Sequence, residues 1–157
     1  MHERNPPCPR MLRYRPPRIA MSLLLFAATM QLLLPPALGK LPPSPSGGVL
    51  IVLLGGGIML RAWWLFRVAQ TAICPTATST ALITADVYRL TRNPMYLGIM
   101  LMLLGIAIAT GGVLFYVAAL TFFLIIDSAF CRHEEVQLRE TFGNEYVRYC
   151  ERVRRWL

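Results

Sequence analysis

Acidic residues are scarce in this chain. Eight Asp and Glu stand against sixteen Lys and Arg, and only 15% of the residues carry a charge. Histidine occurs twice. The four cysteines, Cys8, Cys74, Cys131 and Cys150, show no C-x-x-C spacing. Neither a zinc site nor a disulfide framework is indicated, and no metal site is expected. No G-x-G-x-x-G motif is present, so nothing points to a Rossmann dinucleotide site. Internal repeats of useful length are missing. So is a compact basic domain, and the net charge of +8 is therefore not read as nucleic-acid binding.

Apolar residues are what the chain has in plenty. They make up 55% of it, with a mean hydropathy of +0.49. The charges gather at the N-terminus, around residues 86–92 and after residue 131, with long apolar blocks between. This is the pattern of an all-α polytopic membrane protein with a single domain. Four transmembrane helices are expected, at about 19–38, 49–66, 95–110 and 113–130.

Residues 1–18 form an Arg- and Pro-rich tail, expected to be disordered. A signal peptide is the competing reading of the tail and the first apolar run. Gly55-Gly56-Gly57, in the second span, allows either close helix approach or a local break. Arg61 in the same span is read either as functional or as snorkelling from near the inner end. Trp63 and Trp64 suit an interfacial belt. Gly111-Gly112 predicts a tight turn, making the third and fourth spans an antiparallel hairpin packed through Gly98 and Gly105. Asp127 is expected to pair with an arginine or to serve the site.

After Cys131, apolar residues recur at Leu138, Phe142, Tyr146, Tyr149, Val153 and Trp156. This is an amphipathic helical pattern over 132–157, suited to lying on the membrane surface or folding back as a lid. Gly143-Asn144 should divide it, with Asn144 capping the second helix. Fourteen of the sixteen Lys and Arg fall in the tail, in 67–92 and after 131. An inner-membrane protein with both termini cytoplasmic follows from that count, and the cysteines would then face a reducing compartment.

The chemistry gathers in two polar clusters beside the ends of one hairpin. One is Tyr88 to Tyr96, where Pro94 suits a first helical turn and Asn93 an N-cap. The other is Arg132-His133-Glu134-Glu135. Carboxylates and tyrosine faces suit a positive group, while helix N–H groups and arginines suit a negative one. A small mixed-charge ligand would fit between them. His133 could serve as a base but reads better as structural.

Several of these residues form a familiar order. Ala81-Leu82-Ile83-Thr84, Tyr88-Arg89, Arg92-Asn93-Pro94-Met95-Tyr96-Leu97-Gly98, Glu134-Glu135 and Phe142-Gly143-x-Glu145-Tyr146 follow one another along the chain. This pattern resembles the isoprenylcysteine carboxyl methyltransferases and the related phospholipid methyltransferases. The resemblance runs from about residue 62 to the C-terminus. It implies a membrane enzyme using S-adenosylmethionine without a Rossmann domain, and a lipophilic or lipid acceptor. Thr80, Ala81, Leu82, Ile83, Tyr88, Asn93, Pro94, Met95, Tyr96, Glu134 and Glu135 would hold the cofactor. Arg132 would align an acceptor carboxylate, such as that of an isoprenylcysteine. A phospholipid amine acceptor and a non-catalytic scaffold remain open, and a transporter-like bundle is disfavoured by the lack of an inverted repeat.

Two positions depart from the resemblance. Asn93 stands where the family often has histidine, and an amide does not titrate near neutrality. Asp86-Val87 stands where it usually has Gly-Pro or Gly-Val, which calls the backbone geometry there into question.

Overall fold

The structure is a computed structural model and describes residues 16–33, 40–69 and 82–157. The described residues are all-helical: α1 (Pro16–Leu33), α2 (Pro45–Val68), α3 (Pro94–Thr110), α4 (Val113–Phe142) and α5 (Asn144–Arg152). A 3-10 turn, Asp86–Arg89, precedes α3. The only β pairing among them is a single bridge between Lys40 and Gly112.

Three of these helices, α1, α2 and α4, are long and apolar enough to cross a membrane. The expected third span, α3, is apolar but has only 17 residues. The first span begins earlier than expected, because Pro16-Pro17-Arg18 open α1 rather than ending the tail. Residues 1–15 and 34–38 lie outside the described residues.

The span expected at 113–130 and the start of the helical segment expected from 132 form one helix. No Gly or Pro interrupts the chain between Val113 and Phe142, and α4 runs on unbroken. At Ile126–Cys131 it widens into a π turn, which buries Ile126, Phe130 and Cys131 in the core. Such turns re-aim the residues that follow and are common beside functional sites. The apolar part of α4 ends here, and the charged residues 132–142 project beyond it. Gly143, at φ 51°, ends α4 and occupies the N-cap place of α5. Asn144, expected as the cap, is the first residue inside that helix.

Packing through Gly98 and Gly105 holds, but with a different partner. Both glycines face α2 and not α4. Gly98 lies on Gly55 and Gly105 on Gly48, so α2 and α3 run antiparallel with backbone against backbone. A Cβ at Gly55 would sit 2.6 Å from the Gly98 carbonyl oxygen, and one at Gly98 would sit 2.6 Å from that of Gly55. The seven-residue spacing puts each pair on one helix face, which lets small residues bring backbones together. Gly56 and Gly57 face open space, and α2 shows no break.

The bulkier core lies on the other side of α3. Ile99, Leu103, Ala119, Phe122, Ile126 and Phe130 pack together with Ala20 of α1. Far from the charged end, Leu41 N donates to Gly111 O at 2.6 Å and Ser44 N to Ile108 O at 2.9 Å. These bonds and the left-handed Gly111, at φ 69°, fix the α3–α4 turn.

Candidate active site

The amphipathic end of the chain folds back on the protein. Tyr146, Tyr149 and Val153 are buried, with Leu82, Leu138, Phe142 and Cys150 packed against them. The Tyr149 hydroxyl donates to the Tyr88 carbonyl at 2.7 Å. Tyr88 is itself buried and meets the Phe66 ring edge-on at 5.8 Å. Burial pushes the Tyr149 hydroxyl up to about 12 and that of Tyr88 higher still, so both are neutral at physiological pH.

The Thr91–Pro94 corner is held by the last residues of the chain. Thr91, fully buried, donates its hydroxyl to Arg155 O at 2.8 Å, and Arg92 N donates to Arg154 O at 3.0 Å. Asn93 takes the N-cap place of α3 but does not cap it with its side chain. Its Nδ2 donates instead to Arg155 O at 3.2 Å. The expectation of a side-chain cap fails because this returning carbonyl lies within reach. Pro94 opens α3 and is buried, while Met95 is half-buried.

Across from this corner, the Tyr96 hydroxyl donates a short hydrogen bond to Glu134 Oε1. The clusters at the two ends of the hairpin therefore do meet. Burial is the main cause of the raised Tyr88 hydroxyl, and Glu134 lies near enough to add to it. Burial pushes the Glu134 carboxyl up to about 7; the Tyr96 bond pulls against that and Glu135 adds to it. None of the ion pairs among the described residues includes Glu134.

Glu135, one residue on, is in a different situation. Arg155 donates Nε to its Oε1 at 2.8 Å and Nη2 to its Oε2 at 2.6 Å. Arg92 Nη1 lies 3.1 Å from the same Oε1. Arg92 also donates to Cys150 Sγ at 2.9 Å, and its Nε is buried without an acceptor. Asp127 accepts from Arg155 Nη1 at 3.1 Å and from Trp156 Nε1 at 2.9 Å, as the pairing reading expected.

Asp86 answers the backbone question. It sits at φ 59°, in the left-handed region where glycine is at ease. Arg61 donates Nε and Nη2 to its Oδ2, at 2.9 and 2.5 Å, and holds its carboxyl below the usual range. The arginine expected to be functional or snorkelling thus clips the turn before Tyr88 to α2. Its guanidinium also covers Trp64 at 4.8 Å, as Arg67 covers Trp63 at 5.0 Å.

The family profile described as phospholipid methyltransferase matches residues 45–145. The chain belongs to the phospholipid methyltransferase family. Membership makes it a membrane methyltransferase by family, and the three long apolar helices agree with an integral membrane protein. Over 63 residues it is 40% identical to an uncharacterized protein of Haemophilus influenzae, covering 40% of this chain and all of that one. No solved structure matches.

Within this family member, the expected site residues separate into three groups. Tyr96 and Glu134 meet, with Tyr88 within electrostatic reach of both and with Asn93 and Pro94 at the start of α3. Leu82 packs on the α5 core, Ile83 is half-buried, and Thr80 and Ala81 lie outside the described residues. Arg132 is exposed and lines an open groove of about 500 Å³ with Glu135, Val136, Arg139, Glu140 and Arg155; Glu134 does not line it. Arg92, Tyr149 and Arg155 organise the site; the first two stand in the sequence pattern, but none of the three was assigned the partners it has here. Their partners are 20 to 64 residues away in sequence, so no local spacing marks them.

Proposed function

We propose that this protein moves a methyl group from S-adenosylmethionine to a lipophilic acceptor at the membrane. One observation supports the reading: Tyr96 of α3 meets Glu134 of α4, and among the described residues no ion pair includes Glu134. A carboxylate among aromatic hydroxyls suits a ligand bearing both positive charge and hydroxyl groups. S-adenosylmethionine fits that description. Glu134, Tyr88 and Tyr96 would hold it, with Leu82, Ile83, Asn93, Pro94 and Met95 around them and Thr80 and Ala81 from the preceding segment. Glu135, engaged by two arginines, would act at one remove. When bound, the cofactor supplies a methyl group already activated by its sulfonium. The protein then has to orient the acceptor and exclude water.

An acceptor carboxylate of the isoprenylcysteine kind needs alignment only, and Arg132 is the residue for it. An acceptor amine must first lose a proton. The family's description is in line with this second reading. We further read α3 as a fourth crossing and both termini as cytoplasmic, on the count of basic residues.

Calorimetry on the purified protein in detergent tests the reading. Wild type should bind S-adenosylmethionine, and Glu134→Gln and Tyr96→Ala should each weaken binding. Absence of binding in wild type, or indifference to both changes, would sink it. Labelled methyl groups appearing in prenylcysteine esters or in phospholipid amines separate the two acceptors. Binding without transfer to either would leave a scaffold.

A further inference from the structure

Arg155 lies beyond the stretch matched to the family, which ends at residue 145. It nonetheless touches both halves of the site. Its guanidinium grips Glu135 with two parallel bonds and reaches Asp127 with its third nitrogen. Asp127 lies within the π turn of α4 and Glu135 beyond it. Its carbonyl accepts from Thr91 and Asn93, so the same residue fixes the corner that starts α3. The next residue braces this position: Trp156 shares Asp127 and packs on Phe123 at 5.2 Å.

The charges here are sorted. Arg155 and Arg92 set two guanidinium groups against Asp127 and Glu135. A forked guanidinium matches a carboxylate face to face, which a lysine cannot do. Glu134 points elsewhere, to Tyr96, because neighbours on a helix face different sides. The groups around Glu134 are Tyr96 from α3, Tyr88 from the 3-10 turn, Cys131 one turn back on α4, and its chain neighbours His133 and Glu135. Of these, Glu135 is the acid, and its charge is met by Arg155 and Arg92.

We propose that Arg155 is the positioning residue of this site: by engaging Glu135 and Asp127 it leaves Glu134 as the carboxylate open to a cationic ligand. The proposal rests on the reading of Glu134 as the ligand-binding acid. Removing Arg155 exposes the charge of Glu135 and should make Glu134 harder to ionise. Removing the Glu135 charge leaves Arg155 in excess and should make it easier.

The test needs no cofactor. The full chain is titrated in detergent, following the infrared carboxyl band that disappears in Glu134→Gln. Arg155→Met should raise its midpoint by about half to one pH unit, and Glu135→Gln should lower it by a similar amount, about that expected for one partly screened charge. Arg155→Lys should restore the midpoint in part, since it returns the charge without the fork. A midpoint unmoved by Arg155→Met and Glu135→Gln, with only thermal stability reduced, overturns the proposal. If Arg155→Met does not fold, Arg155→Lys decides alone: a midpoint above that of wild type supports the proposal and an unmoved one overturns it. A second arm measures S-adenosylmethionine binding at pH 7.5, where Arg155→Met should lose affinity severalfold. Failure of wild type to bind would end the functional reading, while the titration still decides the role of Arg155.

Discussion

Along the α2–α3 seam, backbone meets backbone through Gly48, Gly55, Gly98 and Gly105. At the charged end of α4 the same bundle is closed by long side chains: Arg155 on Glu135 and Asp127, Tyr149 on Tyr88, Tyr96 on Glu134. The seam holds by the absence of side chains and has one geometry. The charged end holds by groups that can change protonation or partner. Within it, adjacent acids divide the work, Glu135 tied down and Glu134 open. The contrast places rigidity where the helices cross and adjustable chemistry where a ligand would enter.

The sharpest way to break this contrast is at the seam. Gly98→Leu would drive a branched side chain into the α2 backbone, with Met59 Cβ also within 2.8 Å of the first added carbon. Overpacking of this kind costs about 3 kcal/mol or more where backbone blocks relief. Thermal unfolding should show a large loss for Gly98→Leu and almost none for Gly56→Leu, which faces open space. Equal losses in both would mean that the seam is not what sets the α2–α3 distance.

Next in size is the division between the acids. Glu134→Gln should reduce S-adenosylmethionine affinity about tenfold or more, the scale of one charge-assisted contact, with little change in stability. Glu135→Gln should do the reverse, losing about 1–3 kcal/mol of stability as a paired charge is left without its partner. Calorimetry and thermal unfolding on the same two proteins check this. Matching behaviour would erase the distinction.

The pH dependence is smaller and follows from the same acid. With its carboxyl at about 7, Glu134 gains its charge as pH rises through neutrality. Affinity for a cationic ligand should therefore climb severalfold between pH 6 and pH 8, and the profile of Glu134→Gln should be flat. The stability sign runs the opposite way. A carboxyl raised on folding keeps its proton in the folded state, so its contribution is full at low pH. It is lost as pH climbs from the unfolded value, about 4.5, to the folded one. Denaturant midpoints across that window should decline in wild type more steeply than in Glu134→Gln.

The sequence made the apolar spans, the Gly111-Gly112 turn and the meeting of the two clusters readable, because each rests on local pattern or on short chain connection. Pro94 at a helix start is such a case. The seam partner was not readable. Gly98 and Gly105 have the same spacing whether they face α2 or α4, and bulky Phe122 and Phe130 fill the α4 side. The unbroken α4 was hidden because charge ended the apolar run without ending the helix. The roles of Arg92 and Arg155 were hidden for a different reason. An arginine near the end of a basic segment looks like any other until a distant Glu135 or Asn93 is placed beside it.

The smallest effect lies between the two regions, where Arg61 clips Asp86. A non-glycine residue at φ 59° carries about 1 kcal/mol of strain, more for bulky side chains. The ion pair that offsets it is half-exposed and so screened by solvent. The two effects oppose each other, so Arg61→Met should lose little stability, and Asp86→Gly should be close to neutral. Together they should be no worse than Asp86→Gly alone, since a glycine at that turn asks nothing of Arg61. A double-mutant cycle by thermal unfolding measures this. If the losses simply add, the pair is not what steadies the turn, and the hold on Tyr88 must come from Phe66 and Tyr149 instead.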